Sequence, residues 1–305
     1  MAGACSARLA SADAAEPEVW LALSDHGGAG AEAARLLQDL VERDGRLSPA
    51  WRVGTWAELP ANPEVSPQLL VTFGAAAFRV GIERALVTPV LGRAPMLAAL
   101  VSQASYLDLA PKSALRSSAV WLDQPPERYA ELLRQALPEH RRVGVLFGPD
   151  SVVWRSALAR ALAARGQTLL EATLASDERA LYPALRSLLD EADVLLALPD
   201  KQVYSPANVP NILLAAYRRR VPLVSYSAAH ARAGAVLALH TTPQDVARQV
   251  AAVLRQVLTG RGLPPPRLAD EGSIAVNEQV ARSLGLTFPS SQVLARTIHL
   301  REAEP

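Results

Sequence analysis

Arg142-Val143-Gly144-Val145-Leu146-Phe147-Gly148-Pro149-Asp150 reads as a strand running into a turn. After Arg142 the run is apolar and rich in Val, as in a strand buried on both faces, and Gly-Pro-Asp breaks it. Residues 152–165 then carry apolar side chains at helical spacing, and Gly166 suits the stop. The unit is strand, turn, helix.

The unit recurs in both directions. Toward the C-terminus the pattern predicts strands at 168–173, 193–198, 221–226 and 236–239, with helices at 177–190, 208–219 and 243–259. A Pro-rich connector at 261–267 leads to a short strand at 274–276 and a helix at 278–284 ended by Gly285. Toward the N-terminus a helix with a Pro start covers 126–137, preceded by an extended segment at 118–122. Further strands are expected at 19–23, 51–55, 68–73 and 88–91, with helices after Gly28 and over 75–82 and a short helix or loop at 95–100. Strands alternating with helices give an α/β fold, here two doubly wound parallel-sheet lobes over about 18–118 and 122–238.

A length of 305 residues suits two domains. The net charge of +1, from 31 basic and 30 acidic side chains, argues against nucleic acid or an anionic membrane as partner. No apolar run approaches the ~18 residues of a membrane span. Cys5 is the sole cysteine, so neither an intramolecular disulfide nor a Cys/His zinc site is expected. Small residues lead into it in Met1-Ala2-Gly3-Ala4-Cys5-Ser6, as at a bacterial lipoprotein cleavage site, but no basic and apolar regions precede them. Two readings stay open, a truncated signal with lipid on Cys5 or a polar tail. Residues 1–17 form a tether under either.

Open parallel sheets bind ligands beyond the carboxyl ends of their strands. That rule selects Ser24, Asp25 and His26; Gly74 and Ala75; Gly148, Asp150 and Ser151; Asp200 and Gln202, with Tyr204 in the same loop; Ser225, Tyr226 and Ser227; and His240. Each is open to two readings, an ordinary helix cap or a ligand contact at a helix start. Trp154, one turn into a helix that begins at this rim, stands where it could reach a ligand. By placement, Asp25 and Asp200 suit an amino group, and helix N-termini with Ser151 or Ser227 suit a carboxylate. Gly27-Gly28-Ala29-Gly30 is not a GxGxxG fingerprint, and no GxxxxGK[ST] or GxSxG occurs. His26, His230 and His240 lack metal-ligand spacing. No cofactor, metal or catalytic residue is therefore expected.

The second half carries an ordered series of motifs. Leu137-Pro138 and the strand from Arg142 are followed by Leu198-Pro199-Asp200, Val203-Tyr204-Ser205, Arg220-Val221-Pro222-Leu223-Val224-Ser225-Tyr226-Ser227 and Ala233-Gly234-Ala235. Then come Ile274-Ala275-Val276-Asn277, Ala281-Arg282-Ser283-Leu284-Gly285-Leu286 and Pro289. Over about 120–290 this series resembles the ABC-transporter substrate-binding proteins. The resemblance implies a type I periplasmic-binding-protein fold whose lobes are joined by three crossovers, near 118–122, 237–241 and 272–276. It assigns 18–118 plus 241–271 to one lobe and 119–240 plus 272–305 to the other. It implies a monomeric, non-enzymatic protein of the periplasm, lipid-anchored if Cys5 is modified. Such a protein captures a small molecule, an amino acid or small organic anion, and delivers it to an ABC permease and its ATPase. Relatives often carry Ser-Pro and a lysine where this chain has Ser227-Ala228-Ala229-His230-Ala231-Arg232, so the fold carries over better than the substrate. The alternative is a binding or sensor module of the same fold, presenting a lobe surface to a membrane receptor or signalling partner. A nucleotide or sugar-phosphate enzyme lacks its fingerprint, and a repressor sensor lacks a helix-turn-helix before residue 18.

Overall fold

The computed structural model describes residues 17–110, 115–174 and 180–302. Cys5, with all but the last residue of the 1–17 tether, lies outside them. The first lobe runs β1 (Glu18–Leu23), α1 (Gly28–Asp44), β2 (Ala50–Thr55), β3 (Leu69–Phe73), α2 (Ala75–Val87), α3 (Pro89–Gly92), β4 (Met96–Val101), α4 (Gln103–Leu109) and β5 (Ser117–Trp121). Its sheet is wholly parallel, in the order β2-β1-β3-β4-β5.

The second lobe runs α5 (Pro126–Ala136), β6 (Arg142–Phe147), α6 (Arg155–Ala163), β7 (Thr168–Thr173), α7 (Leu181–Glu191), β8 (Val194–Leu196), α8 (Val209–Arg218), β9 (Leu223–Ser225), α9 (Ala228–Ala233) and β10 (Leu237–His240). Then follow α10 (Pro243–Leu258), β11 (Ser273–Val276), α11 (Glu278–Ser283) and α12 (Ser291–Glu302). The second sheet has the order β11-β10-β9-β8-β6-β7, parallel except where β11 meets β10.

Apolar runs suit these strands because each sheet is covered on both faces. In β6, Val143, Val145 and Phe147 enter the core formed with α5, α6 and α12, while Leu146 enters the core beneath α7 and α8. Gly144 lies on that second face, where a Cβ would stand 2.8 Å from the Cβ of Ala192. β1 divides likewise, with Val19, Leu21 and Leu23 toward α1 and α10 and Trp20 and Ala22 toward α2.

Two elements near residue 90 differ from the sequence reading. Residues 89–92 form a short helix, because Pro89 at its start presets the first turn and lacks the N–H a strand would need. Met96–Val101 is a strand held between β3 and β5; its Met, Leu and Ala are weak strand formers, and burial between two partners overrides that preference.

The chain passes between the lobes after β5, after β10 and before β11. α10 packs on α1 of the first lobe. A capping box starts it, Thr242 Oγ1 accepting the Asp245 N–H at 3.1 Å and Asp245 Oδ2 the Thr242 N–H at 2.9 Å. The connector after α10 touches the edge of the first sheet, where Arg267 bridges Val120, before β11 joins the second. Gln124 laces the crossings together. Its Nε2 donates to Thr241 Oγ1 at 2.7 Å and to the Glu271 carbonyl at 3.1 Å, and its Oε1 accepts from Arg128 at 2.7 Å. Buried Arg128 also donates to the carbonyls of Ala269 and Asp270.

Candidate functional site

The C-terminal ends of β4, β6, β8 and β9 converge on a cavity of about 270 Å³. Ser102 enters it from the first lobe; Asp150, Asp200, Lys201, Tyr204 and Tyr226 enter from the second. Of the residues selected by the strand-end rule, the cavity therefore gathers Asp150, Asp200, Tyr204 and Tyr226.

Asp200 is buried, and the loops of its own lobe occupy both its oxygens. Oδ2 accepts from the N–H groups of Asp150 at 3.1 Å and Ser151 at 3.0 Å and from Ser151 Oγ at 2.9 Å; Oδ1 accepts from the N–H groups of Gln202 and Val203, each at 3.1 Å. The carboxylate thus joins the loop after β6 to the loop after β8. It has little left for an amino group, contrary to the role expected of it. Ser151 lies wholly buried behind it, its Oγ also accepting the Gly148 N–H at 3.0 Å. Asp150 Oδ2 accepts the Lys201 N–H at 3.3 Å, and Gln202 offers its carbonyl to Asn208.

An aromatic wall stands beside this carboxylate. The rings of Tyr204 and Tyr226 meet edge-on with centroids 6.1 Å apart, and Tyr226 meets His230 at 5.1 Å. Burial, reinforced by the Asp200 charge, pushes the Tyr226 hydroxyl up to about 12. Burial likewise raises Tyr204, which is 6% exposed and whose hydroxyl has no hydrogen-bond partner among the described residues. Burial lowers His230, whose Nδ1 shares a 2.7 Å hydrogen bond with the buried Ser225. Ser227 serves as the cap of α9, accepting the Ala229 N–H.

The first-lobe candidates lie on their own rim and do not line this cavity. Ser24 Oγ donates to the Phe73 carbonyl at 2.9 Å and accepts the Ala77 N–H at 3.3 Å, tying β1 to the start of α2. Gly74, at φ 97°, packs against that hydroxyl, where a Cβ would lie 2.7 Å away. Asp25 is exposed and accepts the Gly27 N–H; exposed His26 pairs with Glu58 at 3.0 Å. Glu58 is held below the ordinary carboxylate range by the Thr55 N–H. α1 starts after Gly27, and α2 starts at Ala75 after Gly74, both without a side-chain cap, so each leaves N–H groups unpaired within its helix. His240 ends β10 opposite Ser273.

The strand-end reading missed Ser102, which follows a strand not recognised as one, and Asp123, two residues past β5. Asp123 is 5% exposed and accepts the Gln103 N–H at 2.6 Å through Oδ2. Burial pushes its pKa up from 3.8 to about 6. With Tyr129, Trp154, Leu158 and Pro199 it lines a second, small cavity with about 10 Å³ for the centre of a water-sized group. Tyr129 is 2% exposed, and its hydroxyl has no hydrogen-bond partner among the described residues. Pro199 borders both cavities.

The sequence model of the family described as ABC transporter substrate binding protein matches residues 123–299, more than half the chain. The chain belongs to that family. As an ABC-transporter substrate-binding protein it captures a ligand for ABC transport, and its family is a binding, non-catalytic one, typically found outside the cytoplasmic membrane. Among the described residues, no helix is long and apolar enough to cross a membrane.

Solved structures show the same two-lobed type I fold. A ligand-free, open substrate binding protein with adhesive properties from Clostridium difficile matches with a TM-score of 0.68 at 16% identity, over 90% of this chain and 97% of that one. An ABC domain in complex with L-Trp from Streptococcus pneumonia matches with 0.61 at 15% identity, over 92% and 98%. A conserved domain protein from Vibrio cholerae matches with 0.59 at 20% identity, over 91% and 97%. A comparison with curated proteins gives no match.

Proposed function

We propose that this substrate-binding protein captures a small amino acid or organic anion with an apolar or aromatic portion. The observation that carries this reading is the Tyr204–Tyr226 wall of the cavity between the strand ends, with the Tyr204 hydroxyl unpartnered. Such a wall offers apolar area and few polar groups, as small-ligand sites do. The start of α1, and the first N–H groups of α2 ahead of Ala77 (whose N–H Ser24 accepts), on the opposite lobe supply donors to a carboxylate when the lobes close. Closure is favoured because those contacts form only in the closed state. The L-Trp complex of the pneumococcal neighbour agrees with an aromatic ligand.

The lobes are proposed to comprise 18–118 plus 241–271 and 119–240 plus 272–305. The protein is proposed to work as a periplasmic monomer without enzymatic activity, handing its ligand to a permease and ATPase, with Cys5 as lipid attachment point. Calorimetry against the twenty L-amino acids and a set of small carboxylates tests the ligand class. Saturable binding with lobe closure seen by X-ray scattering is expected, and no binding by any member sinks the reading. Labelling cells with an azide-bearing fatty acid, with Cys5→Ser as control, tests the anchor.

A further inference from the structure

We propose that Asp123 anchors a protonated amine, so that the ligand is an amino acid or related ammonium compound whose nitrogen seats in the small cavity between Asp123 and Tyr129. The proposal rests on the capture reading above and narrows it, setting aside simple organic anions.

A buried carboxylate is ordinarily paired with a cation. Among the described residues Asp123 has instead only backbone donors, Gln103 and its own N–H, and the charged side chain that acts on it most is another acid, Asp150. Arg128, five residues on, is directed to Gln124 and to the carbonyls of Ala269 and Asp270. The site therefore asks for positive charge from outside.

Tyr129 supplies the independent observation. Its hydroxyl is fully buried without a partner among the described residues, a state that costs about 1–3 kcal/mol for a polar group. It lines the cavity with Asp123, and the Asp123 charge acts on it. An ammonium group donates three hydrogen bonds and accepts none. Here it meets a carboxylate and a hydroxyl oxygen, and it matches a space sized for one water. The Trp154 ring on the same wall adds favourable contact for a cation.

The cavity also lies in the right place. It shares Pro199 with the larger cavity, and Tyr226 of that cavity acts electrostatically on Tyr129. A ligand with its nitrogen at Asp123 extends its carbon skeleton along Tyr226 and Tyr204. Asp123 sits at a crossover and touches the first lobe through Gln103, so charge neutralised there is felt at the hinge.

The test is calorimetry at pH 8 with three matched sets: L-phenylalanine, L-tryptophan and L-leucine; the corresponding acids without the amine; and the corresponding amines without the carboxylate. Wild type, Asp123→Asn and Tyr129→Phe are compared, with thermal unfolding to confirm that each variant folds. Removing the amine, or making Asp123→Asn, should weaken binding about 100-fold, as for truncation of one partner of a buried charge pair. Tyr129→Phe should weaken it about 5-fold, one neutral hydrogen bond. Acids that bind as tightly as amino acids, or a folded Asp123→Asn with unchanged affinity, overturn the amine assignment and leave capture intact. Failure of all three sets to bind wild type overturns the capture reading for this class and the proposal with it.

Discussion

A Cβ on Gly148 would stand 2.4 Å from Oδ1 of Asp200, inside van der Waals contact. The carboxylate that joins the loops after β6 and β8 thus lies directly over the backbone of the residue that opens the first of them. Gly148→Ala must push that carboxylate away from its five donors. It should cost about 1–3 kcal/mol, as overpacking does. Urea unfolding reads the cost; a variant as stable as wild type would show that Asp200 does not brace these loops.

Gln124 is the residue through which the hinge should be loosened. It bonds to Thr241, to the Glu271 carbonyl and to Arg128, so each crossing is tied to the others. Gln124→Ala leaves several buried groups short of a partner and should lower stability by about 1–3 kcal/mol. The ligand-free protein should also scatter X-rays as a broader range of lobe separations. A variant with wild-type scattering would place the hinge stiffness elsewhere.

How far the sequence reaches can be seen in particular residues. β6 and β3 were legible because a strand covered on both faces is a nearly continuous apolar run, as Val143–Phe147 is and Leu69–Phe73 is apart from Thr72. β4 was not, because what makes Met96–Val101 a strand is its place between β3 and β5. The strand-end rule picked out Asp150, Asp200 and Tyr226, which sit at or a few residues beyond strand ends of one sheet, and Tyr204 lies farther along the loop that holds Asp200. It could not tell a ligand contact from a brace, because the donors that occupy Asp200 come partly from a loop 49 and 50 residues away in sequence. Asp123 escaped for a similar reason: its burial involves Gln103, and it shares a cavity with Trp154, both distant in the chain. The Asp before Pro125-Pro126 at the end of a buried strand was the one local signal.

Tyr204 separates ring from hydroxyl. Its ring packs in the core beneath α7 and α8 and the residue lines the cavity, while its hydroxyl is buried without a hydrogen-bond partner among the described residues. Tyr204→Phe removes an unsatisfied group, so the ligand-free protein should unfold at the same temperature or slightly higher. Ligand binding should weaken about 3- to 10-fold, the worth of one neutral hydrogen bond. Tyr204→Ala should cost about 3–5 kcal/mol of stability, since it leaves a cavity in the core. Unchanged affinity in Tyr204→Phe would mean that the hydroxyl does not meet the ligand.

Asp123 should make the ligand-free protein less stable as the pH rises. Burial raises its value from 3.8 to about 6, so the folded state favours the protonated form. Below about pH 4 both folded and unfolded chains hold the proton, and the residue costs nothing. Between about 4 and 6 the unfolded chain ionises first and folding loses ground. Above about 6 the folded protein carries the full cost, about 2–3 kcal/mol for a shift of this size. Asp150 adds to it by repulsion, and the Gln103 N–H offsets part. Asp123→Asn keeps an oxygen for Gln103 and cannot ionise, so it should be more stable than wild type at pH 8 and equal to it near pH 4. Denaturant unfolding of both proteins across that range reads the difference directly. If the charge of Asp123 is neutralised by an amine as proposed, an ammonium ligand should raise the unfolding temperature of wild type at pH 8 and leave Asp123→Asn nearly unmoved. Equal stability of the two proteins at both pH values would show that Asp123 is not held ionised against its surroundings.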